Sequence, residues 1–218
     1  MVGRALKGLG QEAEREAKRW PGVLALLAIG VLYLAVSGLF TVGPVWLPLA
    51  LVVALLVLTA ISRLRGRHGV ARALVLIATG LMTLFIASSA VFLVTRLVRG
   101  QAAALSLLRD AALIWVGNVV VFALWYWELD AGGPIARHQT RCPSTDFLFP
   151  QMTRDDPRSA AWLPSFVDYL FLAFNTSTAF SPTDTMVLTH RAKLLTMAQS
   201  LISLMVIAVL AARAINTL

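Results

Sequence analysis

Thiols, charges and clustered metal ligands are all scarce in this chain, and each scarcity removes a class of function. The one cysteine, Cys142, cannot form an intrachain disulfide and excludes thiolate-rich zinc sites. The three histidines, His68, His138 and His190, stand in loops at separations that suit no metal site. Only 14% of the 218 residues are charged, too few to coat a soluble domain. No phosphate-binding glycine loop, serine-nucleophile elbow or catalytic pair of carboxylates is present. The residues therefore point away from an enzyme and call for no cofactor. A soluble basic face with aromatic or helix-turn-helix context is also missing, so the net charge of +8 does not indicate a nucleic-acid partner.

Apolar sequence is what the chain has in abundance. Hydrophobic residues make up 58% of it, and the mean hydropathy is +0.77. Apolar runs of about 18 residues or more recur, each able to cross a hydrocarbon core of roughly 30 Å. The partner these runs require is the lipid bilayer. The reading is an all-α, polytopic transmembrane protein with about five spans plus one re-entrant half-helix before the last. Basic loops that fix orientation account for the positive surplus.

Residues 1–21 form a basic amphipathic segment, in which Arg4, Lys7, Arg15, Lys18 and Arg19 alternate with Glu12, Glu14 and Glu16. Glu14 and Lys18 form an i,i+4 pair. Charge spacing supports either a membrane-surface helix entering the interface at Trp20-Pro21 or a solvated helical tail. Residues 22–102 hold three spans. The first, about Val23 to Phe40, and the second, about Val45 to Ser62, form a hairpin across Thr41-Val42-Gly43-Pro44. Ala35-Val36-Ser37 is a permissible signal-cleavage site, but the acidic stretch before it favours a retained helix. A basic loop with Arg63, Arg65, Arg67, His68 and Arg72 leads into the third span, about Val70 to Val94.

The fourth span, about Ala103 to Trp127, carries Arg109, Asp110 and Asn118 and ends in the belt Trp125-Tyr126-Trp127. Arg109 and Asp110 are expected near the interface, with snorkelling preferred to a functional charge at depth. Residues 128–163 read as an irregular loop rich in glycine, proline and mixed charge. Within it, Asp146-Phe147-Leu148-Phe149-Pro150 is expected to fold back onto the membrane surface, because exposed phenylalanines are costly. No internal repeat suggests an inverted-repeat transporter.

The segment from Pro164 to Thr185 carries the most chemistry. Ser165 and Asp168 fit a capping box, in which the serine oxygen accepts from an early helical N–H and aspartate suits the positive end of the dipole. The half-helix expected over 165–175 spans only ~15 Å, about half the hydrocarbon thickness. The turn at 176–185 is interrupted by Pro182 and cannot complete it as helix. Non-helical backbone at that depth needs protein or a water-filled cavity around it. Asn175, Thr176, Ser177, Thr178, Ser181, Thr183 and Asp184 offer hydroxyl, amide and carboxylate oxygens that can replace a cation's hydration. A shallow interfacial helix between two spans is the plainer alternative.

This order of short apolar helix, hydroxyl-rich turn and acidic residue, with Leu188-Thr189-His190-Arg191 opening a long helix over 191–216, resembles the pore module of two-helix potassium channels. It is also similar to uncharacterised bacterial multi-pass membrane proteins with a degenerate version of that module. The resemblance covers about 165–216, or 103–218 if the fourth span is the outer helix. It implies a homo-oligomer, a tetramer if channel-like, in a bacterial inner membrane, with monovalent cations passing Thr176, Ser177, Thr178, Ala179, Phe180, Ser181 and Asp184. Laid on the filter Thr-Val-Gly-Tyr-Gly, Ser177 falls at the threonine, Thr178 at the valine and Ala179 at the first glycine. Phe180 then falls at the tyrosine and Ser181 at the second glycine, with Asp184 reached after two extra residues. Both glycines are replaced, so the backbone angles that align filter carbonyls are disfavoured and potassium selectivity is not implied. The alternative is a non-conducting membrane protein: a transporter subunit, an assembly factor or a sensor. The distribution of arginines predicts a cytoplasmic N-terminus and a pore segment entering from the cytoplasm, opposite to potassium channels.

Overall fold

The structure is a computed structural model that describes residues 20–36, 38–99, 104–139, 145–153, 162–178 and 184–216. The basic segment 1–19 and Cys142 lie outside the described residues, as do the candidate pore residues Ala179, Phe180 and Ser181. The described chain is mostly helical. Helix α1 is Trp20–Leu34, α2 Leu47–Leu64, α3 His68–Val98 and α4 Ala104–Leu129. After α4 come a short helix α5 (Pro134–Gln139), strand β1 (Phe147–Leu148), helix α6 (Phe166–Thr178), strand β2 (Met186–Val187) and helix α7 (His190–Asn216).

Four of these, α2, α3, α4 and α7, are long and apolar enough to cross a membrane. Helix α1 is shorter than its apolar run suggested. It ends at Leu34 after 15 residues, and the chain continues through a 3-10 turn at Gly38–Phe40. Its rise is about 22 Å, less than a hydrocarbon core of about 30 Å.

Helix α4 is the centre of the fold. It packs against α1, α3, α6 and α7, and 61% of its apolar window is buried against 17% for α2 and 28% for α7. Lipid tails are as apolar as leucine, so close packing and interhelical hydrogen bonds hold such helices together. Two bonds of this kind fix α3 to its neighbours. Tyr33 Oη and Ser89 Oγ meet at 2.9 Å, and Trp125 Nε1 donates to Thr83 Oγ1 at 2.9 Å. Close approach does the same for α1 and α2: a Cβ built on Gly30 would lie 3.3 Å from Leu49 Cα.

Arg109 and Asp110 separate in environment. The Arg109 side chain is largely exposed and donates to the carbonyl of Ala35, whereas Asp110 is fully buried. Snorkelling therefore describes the arginine alone, since only its long stem reaches the surface.

The described residues after α4 hold more regular structure than their glycine and proline content suggested. Its aromatics do not lie on lipid. Phe147 and Phe149 are buried in protein, against Tyr126 and Tyr169 and against Tyr169 and Trp162 respectively. Strand β1 pairs antiparallel with β2, setting Phe147 opposite Val187 and Leu148 opposite Met186. This pairing, with Tyr169 bonded to Asp130, brings the end of α4 and the starts of α6 and α7 to one end of the bundle.

Candidate functional site

Helix α6 runs three residues further than the expected half-helix, so Thr176, Ser177 and Thr178 form its last turn. The hydroxyls explain the extension. Thr176 Oγ1 donates to the Leu172 carbonyl at 2.8 Å, and Thr178 Oγ1 donates to that of Asn175 at 3.0 Å. The second bond satisfies one of the carbonyls that a helix end otherwise leaves without a partner. At the other end, Asp168 Oδ2 accepts from Ser165 N and from Ser165 Oγ, both at 2.7 Å. The carboxylate thus caps the helix entry, and the serine hydroxyl donates to it rather than accepting from the backbone.

Helix α6 stops partway along its neighbours. The Ser177 carbonyl accepts from Trp115 Nε1 at 3.4 Å, and Trp115 lies near the middle of α4. Ser177 Oγ accepts from Gln199 Nε2 at 2.7 Å, and Gln199 sits well inside α7. Three helices meet at this level in a polar seam that is sealed from solvent. Gln199 Nε2 also donates to the Ala173 carbonyl at 2.7 Å, while its Oε1 accepts from Tyr126 Oη. Asn118 Nδ2 donates to Ser203 Oγ at 2.9 Å and to the Gln199 carbonyl at 3.2 Å. Ser177, Asn118, Tyr126, Gln199 and Ser203 are all buried. Buried polar groups in so apolar a setting need partners, and α4, α6 and α7 together supply them for all of these side chains except Asn118, whose Oδ1 is buried without a partner among the described residues.

A second polar cluster clamps the end of the bundle. Asp130, fully buried, accepts from Tyr169 Oη, from Thr145 Oγ1 at 2.8 Å and from Asp146 N at 2.6 Å. Arg137 donates to the carbonyls of Trp127 and Asp130, each at 2.8 Å, and lies over the rings of Trp127 and Tyr169. Asp146 accepts from Thr189 Oγ1 and from Arg191 Nε and Nη2, at 2.8 and 2.6 Å. Thr189 Oγ1 also accepts from Ala192 N at 3.3 Å, which caps α7. The ends of α4, α6 and α7 are held by this clamp.

The sequence-derived candidates divide accordingly. Ser177 lies inside the seam. Asn175, Thr176 and Thr178 are half-buried at the end of α6, and Asp184 is exposed on the return toward β2. Asp130, Arg137, Gln199 and Ser203 carry the polar clusters without having stood out in the sequence. Gln199 and Ser203 gave a weak signal, as polar residues inside an apolar run. Among the described residues, no group of three or more histidines, cysteines or carboxylates is placed to hold a metal ion. No protein-family model matches the chain, and no curated protein and no solved structure is significantly similar to it.

Proposed function

We propose that this chain is a subunit of a channel-like membrane protein, a homo-oligomer assembled around α7, in which the α6 end and the following turn narrow a path for monovalent cations. The observation that carries the reading is the placement of α6. A short helix starts at one end of the bundle, stops beside Trp115 and Gln199, and returns to its starting end at β2. Within a bilayer such a helix is re-entrant, and its carbonyl end favours a cation. The half-buried polar groups at that end are Asn175, Thr176 and Thr178, with Asp184 exposed on the return. Basic loops on the same end make that side cytoplasmic, so α6 enters from the cytoplasm.

The engagement of Ser177 with Gln199 favours a second reading, a non-conducting membrane protein in which α6 is a structural wedge. Purified protein reconstituted into liposomes with a potassium or sodium gradient separates the two. Wild type is expected to give cation flux, reduced by Asp184→Asn and by Thr178→Ala. Flux unchanged by both substitutions would place the path elsewhere, and no flux from wild type would establish the second reading.

A further inference from the structure

A cleft separate from α6 opens among α1, α2, α3 and the end of α4. Its volume is about 290 Å³, near the roughly 300 Å³ at which small-molecule pockets begin. Arg63, His68 and Arg72 line it, together with Glu128. Arg63 Nε is buried without a hydrogen-bond partner among the described residues. Arg72 Nη2 donates to the Glu128 carbonyl at 3.2 Å, which fixes its guanidinium at the rim. Gly22, Gly69, Gly132 and Gly133 contribute wall without side chains, and Val23, Leu26, Leu56 and Val75 make the rest apolar. Gly133 has φ of +94°, and a Cβ there would lie 3.0 Å from the Glu128 carbonyl oxygen, so the wall cannot easily be filled at that point.

We infer that this cleft binds the phosphate of an anionic phospholipid headgroup, with Arg63 and Arg72 as its ligands. Guanidinium groups recognise phosphate oxygens through paired, charge-assisted hydrogen bonds. Two guanidiniums against the one carboxylate of Glu128 leave a formal charge of +1, which suits a singly charged phosphodiester. The apolar walls between helices suit the lipid's glycerol and first methylenes rather than a free ion. Basic pockets between membrane helices serve this purpose in general. The site lies outside α6 and stands whether or not the protein conducts.

Native mass spectrometry of the detergent-purified full chain tests the assignment with dioctanoyl phosphatidylglycerol, dioctanoyl phosphatidylcholine and inorganic phosphate. Phosphatidylglycerol is expected to bind most tightly. Arg63→Gln should weaken it about tenfold, the scale of one lost charge-assisted hydrogen bond. Arg65→Gln, at the C-cap of α2 two residues on and not in the cleft, should leave it unchanged. If Arg63→Gln does not fold, judged by gel filtration, Arg63→Lys replaces it and should weaken binding several-fold. Equal binding of phosphatidylcholine, or lipid binding unaffected at Arg63, would overturn the site. Inorganic phosphate binding as tightly as phosphatidylglycerol would overturn the lipid as its source.

Discussion

Gln199 joins three helices with one side chain, because an amide offers both donors and an acceptor at a single position. Its Nε2 serves the Ala173 carbonyl and Ser177 on α6, and its Oε1 serves Tyr126 on α4. Individual interhelical hydrogen bonds in membranes average only about 0.6 kcal/mol, yet removing Gln199 leaves several buried groups without partners at once. Gln199→Leu is expected to destabilise the protein by about 2 kcal/mol, measured by SDS unfolding in mixed micelles. Ser200→Ala, one residue on and exposed, should be neutral. A Gln199→Leu protein as stable as wild type would show that the seam does not hold α6. Residues such as Gln199 and Asp130 could not be singled out beforehand. A glutamine in an apolar run or an aspartate in a loop acquires its role only from groups brought to it by folding. Asn118 and Ser203 are 85 residues apart in the chain, and Tyr169 and Asp130 are 39 apart.

Helices α2, α3, α4 and α7 follow their apolar runs to within a few residues, for a reason that belongs to the bilayer. A helix satisfies its own backbone, so apolar length alone is enough to specify it. Where a helix ends depends on local side-chain chemistry. The α6 hydroxyls bond back to the Leu172 and Asn175 carbonyls and extend the helix into residues that composition marks as a turn. The antiparallel α1–α2 pair illustrates the other limit, close approach. With Leu49 Cδ1 2.8 Å and Leu49 Cα 3.3 Å from a built Cβ, Gly30→Val has no room without moving α2. Overpacking of this kind costs about 1–3 kcal/mol. Gly30→Val should therefore lower the melting temperature in detergent, while Gly38→Ala, with nothing within 4 Å, should not. Equal melting temperatures for both variants would show that the α1–α2 contact yields.

At the scale of the whole molecule, α7 presents an exposed apolar face. Leu194, Met197, Leu201 and Leu204 are each 60–66% exposed along one side of a 27-residue helix. In a lone chain that face meets lipid; in the proposed oligomer it meets other copies of α7. Leu201→Cys in a Cys142→Ser background should give a cross-linked dimer on mild oxidation in liposomes, and Leu84→Cys, equally exposed on α3, should not. Monomer from both variants would remove the oligomer and with it the channel-like reading, because one such module cannot enclose a path.

Apolar run length and the scarcity of charge determined from sequence alone that this is a helical protein suited to a membrane, and they placed its long helices. Hydrogen-bond saturation of each helix makes that information local. Only the tertiary structure decided which polar residues meet: Gln199 with Ser177 and Tyr126, Asp130 with Tyr169, Asp146 with Arg191, and Arg63 with Arg72 around one cleft. Those encounters depend on how helices pack against α4. Packing in an apolar medium is set by shape and by partners distant in sequence, which no local pattern records.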